Sequence, residues 1–150
     1  MPTPTPTQLT ADLADELLLA VGRLNRWASR HADLAVPPAQ LRLLALIDEM
    51  GATRVGDLAR ADNTTQPTMT AQLDRLASAG YAVRRTDPGD ARAVLVELTG
   101  AGLTALADAR SARGAALAPL VATLDPDTRD RLRGSVRLLT ELVSSLPHSP

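Results

Sequence analysis

Little in this chain is equipped for covalent chemistry. Cysteine is absent, and only His31 and His148 offer an imidazole. Disulfides, thiol redox switches, thiolate nucleophiles and Cys/His zinc sites therefore lack their raw material. No glycine-rich phosphate loop, HExxH helix or GxSxG elbow occurs. The acid pairs Asp15-Glu16 and Asp48-Glu49 are adjacent in sequence, and adjacent helical positions do not share a face, so they read as solvated surface and not as an acid/base dyad. Residues suited to noncovalent recognition gather elsewhere: Thr65, Gln66, Pro67, Thr68, Thr70, Ala71 and Arg75, then Arg84, Arg85, Asp90 and Arg92. Gln can pair with an adenine edge, Thr hydroxyls donate or accept, Ala and Thr methyls touch the thymine methyl, and Arg meets guanine or phosphate. The chemistry expected is recognition of a nucleic acid, with no catalysis, cofactor or metal.

Hydrophobic spacing supplies the elements that would position these side chains. The Thr-Pro alternation at the start predicts a disordered leader over residues 1–8. Leu9, Leu13, Leu17, Ala20, Val21, Leu24 and Trp27 then recur at helical steps, predicting a long helix over 9–31. Pro37-Pro38 breaks the chain, and Pro38 opens a second helix with Leu41, Leu44, Ala45 and Ile47 inward and Gly51 as its stop. Val55 to Ala61 fits a two-turn helix with Val55, Leu58 and Ala59 inward. Asp62-Asn63-Thr64-Thr65 is a turn with capping side chains, and a further helix runs from Gln66 to Ala79 with Met69, Leu73 and Leu76 buried and Gly80 ending it. The period then drops to two: a strand over Tyr81–Thr86, a turn at Asp87-Pro88-Gly89-Asp90, and a strand over Ala93–Leu98 with Val94, Val96 and Leu98 alternating. Thr99 caps a long helix to about Leu124, and Asp125-Pro126 starts a last one striped by Leu132, Val136, Leu139, Val143 and Leu146.

Short helix, tight turn, second helix and hairpin is the layout of a winged helix-turn-helix, here about residues 53–99. The second helix would enter a major groove with its N-terminus and outer face, and Arg92 at the wing tip would reach a minor groove, its guanidinium held by Asp90. Charge is not the driving feature, because the net charge is −1 and all sixteen basic residues are Arg. Residues 54–92 hold six Arg against five acids, the only segment with a positive sum, so placed contacts must outweigh bulk attraction. An amphipathic helix with a small polar face, beside a turn with solvated Arg residues, would show the same periodicity. A winged-helix module for protein contact without direct DNA binding is the matching alternative.

The run DLARADNTTQPTMTAQLDRLASAGYAVRRTDPGDARAVLVELTGAG, residues 57–102, resembles the core of the multiple-antibiotic-resistance regulator (MarR) family. Its wing pattern is matched by Asp90, Arg92, Leu98, Thr99 and Gly102, and its late recognition-helix pattern by Asp74, Arg75 and Leu76. The resemblance implies a mainly α fold, residues 9–150 forming one domain in which a winged helix-turn-helix is flanked by long N- and C-terminal dimerisation helices, about 9–31 and 100–146. It implies a homodimeric regulator, commonly a repressor, of double-stranded DNA, released by a small lipophilic or aromatic anion. It also implies that Asp74 and Arg84 pair to brace the wing. Trp27, His31, Arg42 and Met50 fall on helices that border the family's ligand pocket, with Arg42 able to pair with an anion, although core packing or plain solvation would account for each. The apolar stripes on the first and last helices favour a dimer independently, since a small head offers them too little to bury against, and a twofold dimer predicts a pseudo-palindromic operator. Both stripes packing within one monomer is the competing reading. No apolar run approaches bilayer length and the N-terminus lacks a signal-peptide pattern, so a cytoplasmic location without membrane association is expected.

Overall fold

Helix α1 spans Pro6–His31 and α2 Pro38–Met50; strand β1 (Thr53–Arg54) leads into α3 (Val55–Ala61) and α4 (Gln66–Ser78), and β2 (Ala82–Asp87) and β3 (Asp90–Leu98) precede α5 (Gly100–Ala122) and α6 (Pro126–Ser144). This computed structural model describes residues 6–146, without the side chains of Pro6, Thr7, Leu9 and Ala91. Residues 1–5 of the expected leader, the Leu9 side chain and His148 lie outside the described residues. Pro6 to Gln8, expected in the leader, belong to α1. A proline in a first turn gives up only an N–H that has no intrahelical partner there.

Local chemistry accounts for the helix ends around the head. Thr65 caps α4, its hydroxyl accepting the Thr68 N–H at 3.4 Å, and Pro67 sits harmlessly in the first turn. At the other end Gly80 takes φ +76°, and the N–H groups of Gly80 and Tyr81 donate to the carbonyls of Ala77 and Leu76, both at 2.9 Å. That pair of bonds is a Schellman closure, which needs a residue tolerant of positive φ. Thr99 starts α5 by accepting the Gly102 N–H at 3.1 Å. Asp125 starts α6 by accepting the Thr128 N–H at 2.9 Å, and hydrogen bonding from Thr128 holds its carboxyl below the usual range.

The strands form one antiparallel sheet in the order β1-β3-β2. Strand β1 was not foreseen, because two residues carry no period; it exists through its pairing with β3, Thr53 opposite Val96 and Arg54 opposite Leu95. Strand β3 also begins earlier than expected, at Asp90, which faces Asp87 across a two-residue turn.

The core lies where α2, α3, α4, β3 and α5 meet, and its fully buried members include Leu41, Leu43, Leu44, Ile47, Leu58, Met69, Leu73, Leu76 and Val96. The inward faces expected of α3 and α4 agree with this set, except that Val55 is only partly buried. On α2 it is Leu43, and not Ala45, that is fully buried, since α2 packs against both α5 and β3 and so buries more than one stripe. Val94 is 44% exposed, because β3 runs beyond the core toward the wing tip. The outer helices differ sharply from the head. Helix α6 has no buried residue, and Leu13, Leu18, Leu19, Val21 and Leu24 of α1, Leu132, Val136, Leu138, Leu142 and Val143 of α6, and Leu146 just beyond it are exposed.

Candidate nucleic-acid interface

Burying Met69, Leu73 and Leu76 turns the opposite face of α4 outward. Thr65, Gln66, Pro67, Thr68, Thr70, Ala71, Asp74 and Arg75 are all exposed, so the structure brings the expected reading residues onto one surface. The hydroxyls are already partly committed. Those of Thr65 and Thr68 share a hydrogen bond of 2.8 Å, and Thr70 donates its proton to the Gln66 carbonyl at 2.9 Å. A hydroxyl whose only proton is spent within the helix offers acceptor lone pairs outward, which suits the amino group of adenine or cytosine in a major groove. Gln66 adds an amide on this face with both donor and acceptor.

The wing is braced on both sides. Arg84 Nη1 donates to Asp74 Oδ1 at 2.6 Å, joining β2 to α4, the pairing the family resemblance implied. Arg85 pairs with Glu97 across the hairpin. Arg54, which sequence reasoning missed, donates to Asp87 Oδ2 at 2.7 Å and stands 3.8 Å from Asp90 Oδ2. The Arg54 hydrogen bond, followed by the Gly89 N–H, holds the Asp87 carboxyl below its ordinary range and raises Arg54 in turn. No local pattern announces this contact, because its partners are 33 residues apart. The expectation that Asp90 grips the Arg92 guanidinium is corrected. Asp90 Oδ1 accepts the Arg92 backbone N–H at 3.1 Å, a turn contact two residues long that leaves the side chain out.

These pairings resolve the near-neutral charge of the head. Each of its five acids has an Arg partner: Asp57 with Arg60, Asp62 with Arg42, Asp74 with Arg84, and Asp87 and Asp90 with Arg54. Among the described residues the guanidinium groups of Arg75 and Arg92 have no ion-pair or hydrogen-bond partner, so the uncommitted charge on this surface is positive.

The residues expected at a ligand pocket are placed apart from the cleft beside the head. Trp27 and His31 stack on one another, centroids 4.1 Å apart, with His31 Nδ1 2.8 Å from the Trp27 carbonyl oxygen. The Arg42 guanidinium, expected to be open to an anion, is committed to Asp62, one of its bonds measuring 3.2 Å, and Met50 ends α2 with 37% exposure. The cleft, of about 360 Å³, is walled by Leu34, Val36, Tyr81 and Ala105 together with the carboxyl side chains Asp33 and Asp108. None of Trp27, His31 and Arg42 lines it, and neither does any basic side chain.

Comparison with known proteins agrees with this geometry. The model of the MarR family matches residues 36–94. An HTH-type transcriptional regulator of Mycobacterium tuberculosis is 37% identical over 138 residues, covering 91% of this chain and 96% of the relative. Among solved structures, a transcriptional regulator from Thermotoga maritima superposes with a TM-score of 0.70 at 23% identity, over 91% of this chain and 95% of that one. A mutant MarR from Escherichia coli complexed with operator DNA does so with a TM-score of 0.57 at 22% identity, over 91% and 99%.

Proposed function

The chain belongs to the MarR family of DNA-binding transcriptional regulators, and on that premise we propose that it is a cytoplasmic repressor that binds a pseudo-palindromic operator as a homodimer. One observation carries the DNA-binding geometry: every acid of the head is tied to an Arg, while Arg75 on the recognition helix and Arg92 in the wing stay uncommitted beside an exposed Gln/Thr surface. Gln66, Thr68 and Thr70 read base edges in the major groove, Arg75 takes phosphate, and Arg92 enters the minor groove. The near-neutral head would suit a protein-contact module, but a protein partner gives no reason for the two free cations to stand one on the recognition helix and one on the wing. That the E. coli neighbour was solved on operator DNA supports the same reading.

The dimer reading is supported by the bare faces of α1 and α6, since apolar stripes of that length on a free monomer mark an interaction surface. Support for a small-molecule effector comes from the cleft beside Tyr81. Asp33 and Asp108 in its walls favour a neutral or cationic lipophile over the anion the family resemblance implied.

The division of labour is testable by fluorescence anisotropy on a selected duplex and on random DNA. Gln66→Ala and Thr70→Ala should each weaken specific binding by about 1–3 kcal/mol while sparing random DNA, and Arg75→Ala should weaken both alike. Equal losses on both duplexes for all three variants would refute it.

A further inference from the structure

We propose that Arg54 is a positioning residue for the wing, presenting Arg92 to DNA by pinning Asp87 and Asp90 and offsetting part of their charge. The proposal rests on the reading that the wing contacts DNA. Its basis is the way the two carboxylates divide their oxygens. Oδ1 of Asp87 accepts the Gly89 N–H at 2.8 Å, and Oδ1 of Asp90 accepts the Arg92 N–H at 3.1 Å, so one oxygen of each holds the turn backbone. The other oxygen of each faces the same guanidinium, Arg54 Nη2 lying 2.7 Å from Asp87 Oδ2 and 3.8 Å from Asp90 Oδ2.

The sheet itself does not fix Arg92. The ladder passes from Thr86 opposite Val94 directly to Asp87 opposite Asp90, so residues 91–93 of β3 have no partner on β2. A bulged segment takes its direction from whatever holds its ends, and the end nearest Arg92 is held by the Asp90 carboxylate. Arg54 is itself well anchored, paired with Leu95 in the sheet and placed immediately before α3. It therefore ties the wing tip to the start of the helix-turn-helix. Electrostatics point the same way. Without Arg54 the tip would offer phosphate two carboxylates against the one cation of Arg92, a net repulsion next to a polyanion; with it the charges of Arg54, Asp87, Asp90 and Arg92 sum to zero and that repulsion is removed.

The test is a double-mutant cycle on the full chain, with a duplex that the wild-type protein selects from a randomised library as probe. Arg54→Ala should lower affinity about tenfold, the scale of a lost charge-assisted hydrogen bond, and Arg54→Lys should recover part of it. In the Arg92→Ala background Arg54→Ala should cost clearly less than in the wild type, because the positioning share vanishes with Arg92 and only the uncovered charge of Asp87 and Asp90 remains. Additive losses, or an Arg54→Ala affinity equal to wild type, would overturn the proposal. Amide hydrogen exchange without DNA provides a separate readout: Arg54→Ala should speed exchange at Gly89 and Arg92 while leaving Met69 protected, and unchanged exchange at the two wing amides would overturn the positioning role. An Arg92→Ala protein that binds like wild type, with wing exchange still Arg54-dependent, would instead refute DNA contact by the wing.

Discussion

Replacing Leu138 and Leu142 together by Glu should yield a monomer whose head remains folded and whose DNA affinity is about a hundredfold lower. Both side chains are more than half exposed in the single chain, at 68% and 53%, so charging them costs the isolated fold little. Across a partner each buried Leu is worth about 1.5–3 kcal/mol, and a carboxylate forced into that seam adds a desolvation penalty. The loss of affinity follows from geometry, since a dimer engages its second half-site at an effective concentration that a monomer lacks, a factor of about 10²–10⁴. Light scattering gives the mass, and anisotropy gives the affinity. A variant that stays dimeric, or a monomer that binds as tightly as wild type, would contradict the role assigned to α6.

Gly102→Ala should be the most damaging single methyl in the head. A Cβ at this position would stand 2.1 Å from the Tyr81 carbonyl oxygen and 3.0 Å from the carbonyl carbon. That carbonyl cannot step aside freely. It accepts the Thr99 N–H at 3.0 Å, while the Tyr81 N–H closes α4 at Leu76 and the Thr99 hydroxyl donates to the Gly80 carbonyl at 2.6 Å. Recognition helix, wing and α5 are joined in this one knot, so relieving the clash means breaking hydrogen bonds that hold the reading surface. Overpacking of this severity costs about 3 kcal/mol. Urea unfolding measures it, with Gly114→Ala as the control, because a Cβ there meets nothing within 4 Å and an added methyl in a helix should stabilise by about 0.4–1 kcal/mol. A Gly102→Ala loss of less than about 1 kcal/mol would contradict the close-approach account.

The helices, and the outward face of α4, were legible from sequence because Met69, Leu73 and Leu76 mark its inner face, and because Thr65, Gly80 and Thr99 state where helices begin and end. The bare stripes of α1 and α6 were visible for the same reason. What stayed hidden depends on contacts between distant segments. Strand β1 has no signature beyond its pairing with β3, and Arg54 meets Asp87 only after the hairpin has folded back. Arg42 illustrates the same limit from the other direction. Its charge suggested an anion site, yet the turn after α3 brings Asp62 to it, with the Asp62 side chain only 6% exposed. Charge type is local information, whereas charge partnership is tertiary. The early start of α1 at Pro6 and the start of β3 at Asp90 have a milder cause: prolines and turn residues signal that an element ends nearby without fixing the residue.

Selection of duplexes from a randomised library by the wild-type protein, followed by sequencing, tests the central claim most directly. A homodimer reading with α4 and the wing should enrich an inverted repeat whose half-site centres are about one helical turn apart. Substituting Gln66 by Ala should blur particular positions of that repeat and leave its spacing intact. Enrichment of no sequence over the input library, or of a single unrepeated site, would contradict a dimeric regulator that reads DNA through placed contacts.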